Sequence, residues 1–563
     1  MPTTHEVTNQ PPPLTSYDVS AYPALLESLR THGAGWAEDE VRELGLLAGG
    51  PEAQEWARCV EEQPPVLRTH DRYGHRIDEV DFHPHWHDLM RTAVGHGLHA
   101  APWRRRTPGT HVARAAKLFV WGQTDAGHLC PVSMTYAAVP ALRTSPDLAA
   151  AYEPLLTSAA YDFGLRPPTT KSGLIAGMSM TEKQGGSDVR ANATRAVPSG
   201  DGDGLYALTG HKWFTSAPMS DVFLTLAQAP GGLSCFLVPR VLPDGTRNAI
   251  RLMRLKDKLG NRSNASAEIE YEGAVGHLVG DEGAGVKTII KMVNMTRLDC
   301  ALAIAGGMRL GVVQALHHAD HRRAFGARLA DQPLMANVLA DLAVEAEAAT
   351  VASMRLAAAV DRGETGTAGE TNGADGTDAG QEALFRRIGL AVTKYWVCKR
   401  GPAHAAEALE CLGGNGYVEE SGMPRLYREA PLPSIWEGSG NVAALDALRA
   451  MARRPETVTA FFAEVDAAAG ADARLDTAIG RLRKDLADVT AVEYRARRVV
   501  ESMALVLQGA LLHRHGDAAV ADAFCASRLD GDGGLAFGTL PPGVDTDAIL
   551  KRARPSGGQY GRS

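Results

Sequence analysis

The feature of this 563-residue sequence that most restricts its fold is a change of hydrophobic period along the chain. From Ala24 to about Leu165 apolar residues recur at three and four, as in HVARAAKLFVWGQ (His111 to Gln123), which is helix spacing. Between about Gly173 and Val286, β-branched and aromatic residues alternate with polar ones between Gly, Asp and Pro turns, as in LYALTGHKWFTS, LSCFLVP and SAEIEYEG. That pattern predicts short antiparallel strands. Helical spacing returns at about Lys287 and runs to about Arg453, and a last helical segment covers Pro455 to Leu512. The order helices, strands, helices lacks the strand–helix alternation of a doubly wound sheet, and no G-x-G-x-x-G follows a strand. The expected fold class is α+β, with domains at 1–170, 171–286, 287–453 and 454–563.

Composition narrows the function classes. With 45% hydrophobic and 22% charged residues the chain is of ordinary globular type, which excludes disordered and fibrous readings. A net charge of −8 does not favour nucleic acid or an anionic membrane as a partner of the whole chain. Met1 to Leu14 has neither a basic start nor an apolar core, and no stretch approaches the ~18 uninterrupted apolar residues of a membrane span, so a cytoplasmic protein is expected. Seven cysteines without a C-x-x-C fit reduced thiols, with no disulfide and no zinc site. His83, His85 and His87 alternate with Pro84 and Trp86 and read as packing and hydrogen-bonding residues rather than a metal site. DGDG at Asp201 and at Asp530 reads as turn chemistry. The insert Gly363 to Gly380 lacks large apolar side chains and reads as a flexible loop, and the Gly/Asp/Pro-rich tail after Leu512 as loosely structured.

Five segments carry chemistry. Met178 to Asp188, MSMTEKQGGSD, places the hydroxyls of Thr181 and Ser187 and the pair Gly185 and Gly186 on one tight turn, where backbone approaches a flat or phosphorylated ligand closely; an ordinary Gly-Gly turn reads the same way. In GHKWFTS, Trp213 and Phe214 alternate across a strand, and Ser216 shares a face with Phe214, giving an apolar wall and one hydrogen bond for a ring system, or simply a core aromatic. RRAFG at Arg322 and LGGNGY at Leu412 are phosphate contacts by a fork and by backbone N–H groups, or a salt bridge and a helix cap. In SIWEGSGN, Glu437 follows Ile435 and Trp436. Burial there would raise its pKa toward the range of a general base, while support of the following helix dipole is the other reading.

As an ordered set these segments resemble the acyl-CoA dehydrogenase family, over about Leu129 to Arg449. RLKDKLGNRSNASAEIEYEG (Arg254 to Gly273) is similar to that family's exit from its β-domain. NQPPPL at Asn9, FHPHWH at Phe82, LCPVSMTYA at Leu129 and the extra C-terminal segment resemble its alkylation-response branch, flavoproteins associated with DNA and of weak dehydrogenase activity. The resemblance implies an N-terminal helical domain, a central antiparallel β-domain and a C-terminal four-helix bundle, with FAD as cofactor. It implies that Met178, Met180, Thr181, Gly186 and Ser187 line the flavin, with Phe214 on the isoalloxazine, Thr215 beside it and Ser216 at its reactive edge. Arg322, with Phe325 of the same motif, and Gly413, Gly414 and Gly416 then meet the FAD of a neighbouring subunit in a homotetramer, and Trp436, Ser439 and Asn441 complete the cofactor contacts. Glu437 is the base that takes the α-proton of an acyl-CoA. Two positions depart from the family pattern: Glu410 stands where most members have Gln, and Trp436 is larger than the usual aromatic.

From Met451 to Ser563 the chain carries fifteen basic and fifteen acidic residues, so the net negative charge rests on the preceding 450. If Leu475 to Leu512 is largely one helix, Arg481, Lys484, Arg495 and Arg498 fall on one arc, apart from the apolar one. Such a stripe is either a solvated face or a sequence-independent contact for DNA phosphates, with Arg449 as a neighbour; the resemblance favours double-stranded DNA.

Overall fold

The computed structural model describes residues 4–105, 107–200, 204–365 and 379–555. Of the insert Gly363 to Gly380 read as a loop, residues 366–378 lie outside the described residues, as does most of the DGDG at Asp201; the two ends of the insert are helical instead, closing Pro333–Thr365 and opening Ala379–Glu410. The chain divides into two compact units. One comprises Met1–Gln54, Thr107–Thr124 and Cys300–Ser563, and the other Glu55–Arg106 and Asp125–Asp299.

The second unit is built on strands. A hairpin of β1 (Val66–His70) and β2 (Arg76–Asp81) interrupts the stretch read as helical, with Asp71 bonding the amides of Tyr73 and His75 at its turn. The period-two alternation of these two runs is only five and six residues long, too short to stand out between flanking helices. The main sheet has seven strands: β3 (Ala176–Ser179), β4 (Arg195–Pro198), β5 (Leu205–Ser216), β6 (Val222–Ala229), β7 (Gly232–Pro239), β8 (Ile250–Leu255) and β9 (Ser266–Val279). Their order is β3-β6-β4-β5-β9-β7, with β8 on β9 and a further β6–β7 pairing that brings the path back on itself. Pairing is mostly antiparallel, as expected, but β3 and β4 run parallel to β6 because the connections between them cross the sheet instead of turning back as hairpins. Val80, Tyr206, Leu208, Phe236, Val238, Ile250, Leu252, Ile269 and Tyr271 form the buried core of this sheet.

The other unit is helical. Helices Pro333–Thr365 and Ala379–Glu410 pack along each other, and Thr110–Trp121, Gly440–Arg453 and Val492–His515 pack against one or both of them. The connecting helix Gly285–His321 contains a window apolar and long enough to cross a membrane, and 78% of that window is buried inside the protein.

Two expectations for the C-terminal segment are corrected. The tail after Leu512 is ordered through its described part: helices Ala518–Phe524 and Thr546–Ala553 bury Val520, Phe524, Ile549 and Leu550, and Phe537 and Leu540 are buried between them in sequence. Long-range ion pairs hold it, Arg552 to Glu347 at 3.0 Å, Arg528 to Asp341 and Arg554 to Asp320 at 3.1 Å. Leu475 to Leu512 is not one helix either. It breaks into Ala473–Ala487 and Val492–His515, with Ala491 in the left-handed region and Asp488 accepting from the Thr490 amide.

The C-terminal segment is also fastened through Arg355, whose buried guanidinium lies 2.9 Å from Glu382 and 2.7 Å from Glu464. Without Arg355, Glu382 keeps Arg362 at 3.1 Å and Glu464 keeps Arg514 at 2.8 Å, so only part of the pairing is lost. Arg355→Met is expected to destabilise this unit by about 1–3 kcal/mol, read as a lower denaturation midpoint; an unchanged midpoint contradicts the assignment.

Candidate active site

In the sheet unit, β3 leads into the turn at Met180 to Asp188, and a buried ion pair fixes that turn. The Glu182 carboxylate and the Lys212 ammonium, both fully buried, stand 2.9 Å apart. Lys212 also donates to the Leu226 carbonyl at 2.7 Å, and Glu182 accepts from the Ala193 amide at 2.6 Å, the Gln184 side chain at 2.8 Å and the Thr194 amide at 3.2 Å. Burial opposes the charged form of Glu182, but the Lys212 charge and these donors outweigh it and bring the carboxyl down to about 2. Burial lowers Lys212 to about 8 against the pull of Glu182. Three further bonds tie the turn down: Trp213 N–H to the Thr181 carbonyl at 2.8 Å, Lys183 N–H to His211 at 2.9 Å and Asn192 to the Met180 carbonyl at 2.9 Å.

The residues named from the sequence sit on this frame in two layers. Gly185, Gly186 and Ser187 are exposed, and Met178, Met180 and Thr181 are partly so. Gly186 must lack a side chain, since a Cβ there would stand 2.4 Å from Thr181 Oγ1. On β5 the pairing with β9 slips by one residue between Lys212 and Thr215, a bulge that takes Trp213 and Phe214 out of simple alternation. Phe214 is 48% exposed and Ser216 partly exposed, whereas Thr215 turns inward, its hydroxyl 2.5 Å from that of Ser179. The side chain of Thr215 therefore supports the strand. Lys256 Nζ lies 3.2 Å from the centroid of the Trp213 ring and 4.8 Å from that of Phe214.

In the helical unit, Glu437 sits at φ +57 and Gly438 at φ +103, a left-handed pair between the short helix Leu432–Ile435 and the helix Gly440–Arg453. A non-glycine residue there costs on the order of 1 kcal/mol or more. The conformation is held by Lys394, itself buried, whose ammonium donates to the Gly438 carbonyl at 2.6 Å and the Ser434 carbonyl at 3.4 Å. The Glu437 side chain is half-buried, as is that of Trp436. Ser439 and Asn441 are exposed, and Arg497 of the C-terminal segment donates to the Asn441 side chain at 2.8 Å.

Arg322 to Gly326 opens a two-stranded hairpin, Arg323–Ala324 against Ala327–Arg328, with Phe325 and Gly326 both at positive φ at its tip. Phe325 is 99% exposed. In the loop Gly413–Tyr417, Gly413 is at φ +59 and a Cβ on it or on Gly414 would meet nothing within 4 Å. Gly416, by contrast, is packed on the Leu409 carbonyl, 2.2 Å from where a Cβ would stand. Gly413 and Gly414 thus offer bare backbone, and Gly416 allows the chain to close. Glu410 is exposed.

AidB of Escherichia coli strain K12 is 44% identical over 554 residues, covering 97% of this chain and 98% of that protein. Residues 9–163 match the adaptive response protein AidB N-terminal domain, 177–274 the acyl-CoA dehydrogenase middle domain and 283–452 the acyl-CoA dehydrogenase C-terminal domain. The chain belongs to the acyl-CoA dehydrogenase family. Within it, the chain falls in the AidB branch. Acyl-CoA dehydrogenase family member 11 of Caenorhabditis elegans is 31% identical over 508 residues, 84% of this chain and 79% of that one. The crystal structure of Caenorhabditis elegans ACDH-11 in complex with C11-CoA superposes with a TM-score of 0.83 at 28% identity, over 93% and 94% of the two chains. An acyl-CoA dehydrogenase from Bacillus anthracis complexed with FAD shares the fold at a TM-score of 0.63 and 17% identity, over 91% of this chain and 84% of that one.

FAD is the cofactor of this family, and the residues present fit it. In the sheet unit, the exposed small residues and hydroxyls at Thr181 to Ser187 and the open ring of Phe214 are donors and a wall of the kind that a flat ring needs; in the helical unit, taken by itself, the uncovered backbone at Gly413 and Gly414 is of the kind that a pyrophosphate needs. Glu182, Lys212 and Asn192 beneath the Thr181 turn, and Lys394 at the Glu437 turn, were not singled out in the sequence, because a buried ion pair or a lysine-to-carbonyl bond between residues thirty or more positions apart has no local signature.

Among the described residues the grouping of metal-ligating type is Asp472, His513 and Cys525, with ligand atoms within 4.8 Å of one another. The Arg474 fork already grips that carboxylate at 2.6 Å. His85 instead pairs with Asp88, and His87 with Tyr161, both at 2.9 Å.

Of the basic residues, Arg449, Arg481, Lys484 and Arg498 are exposed. Arg495 is corrected: with the helix broken at Asp488, its guanidinium turns back onto the Asp488 carbonyl and, at 3.1 Å, the Thr490 carbonyl, and lies 3.3 Å from the Asp488 carboxylate. It brackets the turn between the two helices.

Lys212→Met strands the Glu182 charge in the core. This variant is expected to cost about 3–5 kcal/mol and to loosen FAD, and the double variant Glu182→Gln/Lys212→Met to recover part of the loss. Denaturation and FAD retention equal to the parent in the single variant would contradict the role given to this pair.

Proposed function

We propose that the protein is an FAD-dependent acyl-CoA dehydrogenase of the AidB branch, which desaturates a short or branched acyl-CoA between Cα and Cβ with weak turnover and associates with double-stranded DNA. The observation that carries the chemistry is the Glu437 turn: a half-buried carboxylate on a left-handed residue, with a buried lysine spent on holding it. Glu437 takes the α-proton, and a base in that role contributes ~10²- to 10⁴-fold. Bound FAD supplies the acceptor for the hydride that leaves Cβ. Thr181, Ser187 and Ser216 bond the flavin, Phe214 covers its ring, and the bolted turn beneath keeps these groups in place. The bulk of Trp436, the half-buried neighbour of Glu437, is what supports a short or branched chain in this reading. The C11-CoA bound by ACDH-11 supports an acyl thioester as the substrate class.

The exposed Phe325 hairpin and the Gly413–Tyr417 loop face outward, which supports a homotetramer in which both meet the FAD of a neighbouring subunit. The DNA contact rests on Arg449, Arg481, Lys484 and Arg498, exposed on helices of which Val492–His515 packs against both Ala473–Ala487 and Gly440–Arg453. We place the protein in the cytoplasm.

In an anaerobic titration with isovaleryl-CoA, the flavin absorbance of the parent is expected to bleach, and Glu437→Gln to bleach at least ~10²-fold more slowly. A variant that bleaches at the parental rate contradicts the assignment of the base. A flavoprotein that never bleaches with any acyl-CoA favours the alternative, a DNA-bound protective flavoprotein without dehydrogenase turnover. For DNA, reversing Arg481, Lys484 and Arg498 to Glu is expected to lower the slope of log affinity against log salt by roughly 2–3. An unchanged slope removes this surface from the account.

A further inference from the structure

The segment Asn9 to Leu14 lies outside every role assigned so far, yet it is bonded to both outward-facing elements of the helical unit. Asn9 sits at φ +57, a conformation that asparagine tolerates better than most residues. Its side-chain amide pairs reciprocally with one residue of the hairpin: Nδ2 donates to the Arg323 carbonyl at 2.9 Å, and the Arg323 amide donates to Oδ1 at 2.8 Å. The Asn9 carbonyl accepts from Arg322 Nη1 at 2.6 Å. One residue later, Gln10 Oε1 accepts from Asn415 Nδ2 at 3.0 Å, in the middle of the glycine loop. His317 Nε2 meets the Pro12 carbonyl at 2.7 Å on the helix that leads into the hairpin.

Two elements some ninety residues apart in sequence are thereby joined through one short strap. Each is largely exposed. The hairpin has two residues per strand and an exposed tip, and the loop has bare glycine backbone. Segments with few buried contacts open at low cost, so bonds from outside decide how well they are ordered. The strap also fixes the fork of Arg322 through one of its five N–H groups and leaves the rest to a ligand.

We infer that Asn9 and Gln10 are positioning residues that hold the Arg322–Gly326 hairpin and the Gly413–Tyr417 loop as one dinucleotide-binding surface. The inference rests on the reading that these two elements meet FAD. The strap orders them before the cofactor arrives, so its removal weakens FAD binding without touching the residues that contact the flavin. The ProProPro run after Gln10 limits the conformations of the free segment and so lowers the entropy lost in docking it.

The test uses the full chain stripped of FAD and titrated with FAD. Asn9→Ala/Gln10→Ala is expected to bind FAD roughly tenfold more weakly, the effect of losing two or three modest hydrogen bonds. Hydrogen exchange of the cofactor-free protein is expected to speed up at Arg323, Leu329 and Gly413–Val418. Asn9→Asp keeps the acceptor for the Arg323 amide and loses the donor, and is expected to fall between the parent and the double variant. Arg322→Ala in the intact strap serves as the reference. If Arg322→Ala weakens FAD while the strap variants change neither affinity nor exchange, the strap proposal is wrong and the reading of the site stands. If Arg322→Ala itself leaves FAD binding unchanged, the reading fails and the strap proposal falls with it.

Discussion

The strained turn that carries Glu437, the residue we propose as the base, has to be held, and the holding falls to Lys394. Its ammonium is buried and donates to two carbonyls that flank Glu437. The turn at Glu437 and Gly438 is backbone that a free peptide would not choose, since a glutamate at φ +57 is strained. The strain persists because the Lys394 bonds over-determine the turn. Without them the chain between Leu432–Ile435 and Gly440–Arg453 would relax toward ordinary helix-cap geometry, and the carboxylate would lose its fixed direction.

The sheet unit solves the same problem by the same means. Glu182 and Lys212 form no part of the exposed surface, yet Glu182 accepts from Lys212, Gln184, Ala193 and Thr194 and so ties the Met180 to Asp188 turn to the strands beside it. In both units a buried lysine fixes backbone from below while small, hydroxylated or aromatic residues face outward. Buried ion pairs are weak evidence for stability in themselves, because desolvation offsets much of the attraction. Their value here is geometric: the carboxylate accepts from a fixed set of amides, and a turn otherwise rich in glycine is left with one conformation.

Legibility in the sequence followed the range of the interactions. The β-domain was readable because period-two alternation is local, and the turn at Met180 to Asp188 was readable as a turn because glycines and hydroxyls cluster in one short motif. The hairpin Val66–Asp81 was missed because each strand is too short to show a period among helices. The helix break at Asp488 was missed because the apolar spacing continues in phase across it, while Ala491 in the left-handed region leaves no compositional mark. The order of the tail was missed because glycine, aspartate and proline describe local backbone only. What holds that segment is the set of pairs from Arg528, Arg552 and Arg554 to carboxylates some two hundred residues away. The Asn9 strap belongs to the same class, since a side-chain amide that pairs with a distant backbone carries no spacing to recognise.

The central claim is that these surfaces serve FAD. The most direct measurement is identification of the tightly held small molecule by denaturing release and mass spectrometry, together with its stoichiometry. The account predicts FAD at one per subunit, released without covalent attachment and taken up again by the stripped protein. A protein that carries no flavin as purified and takes up none when FAD is added would contradict it.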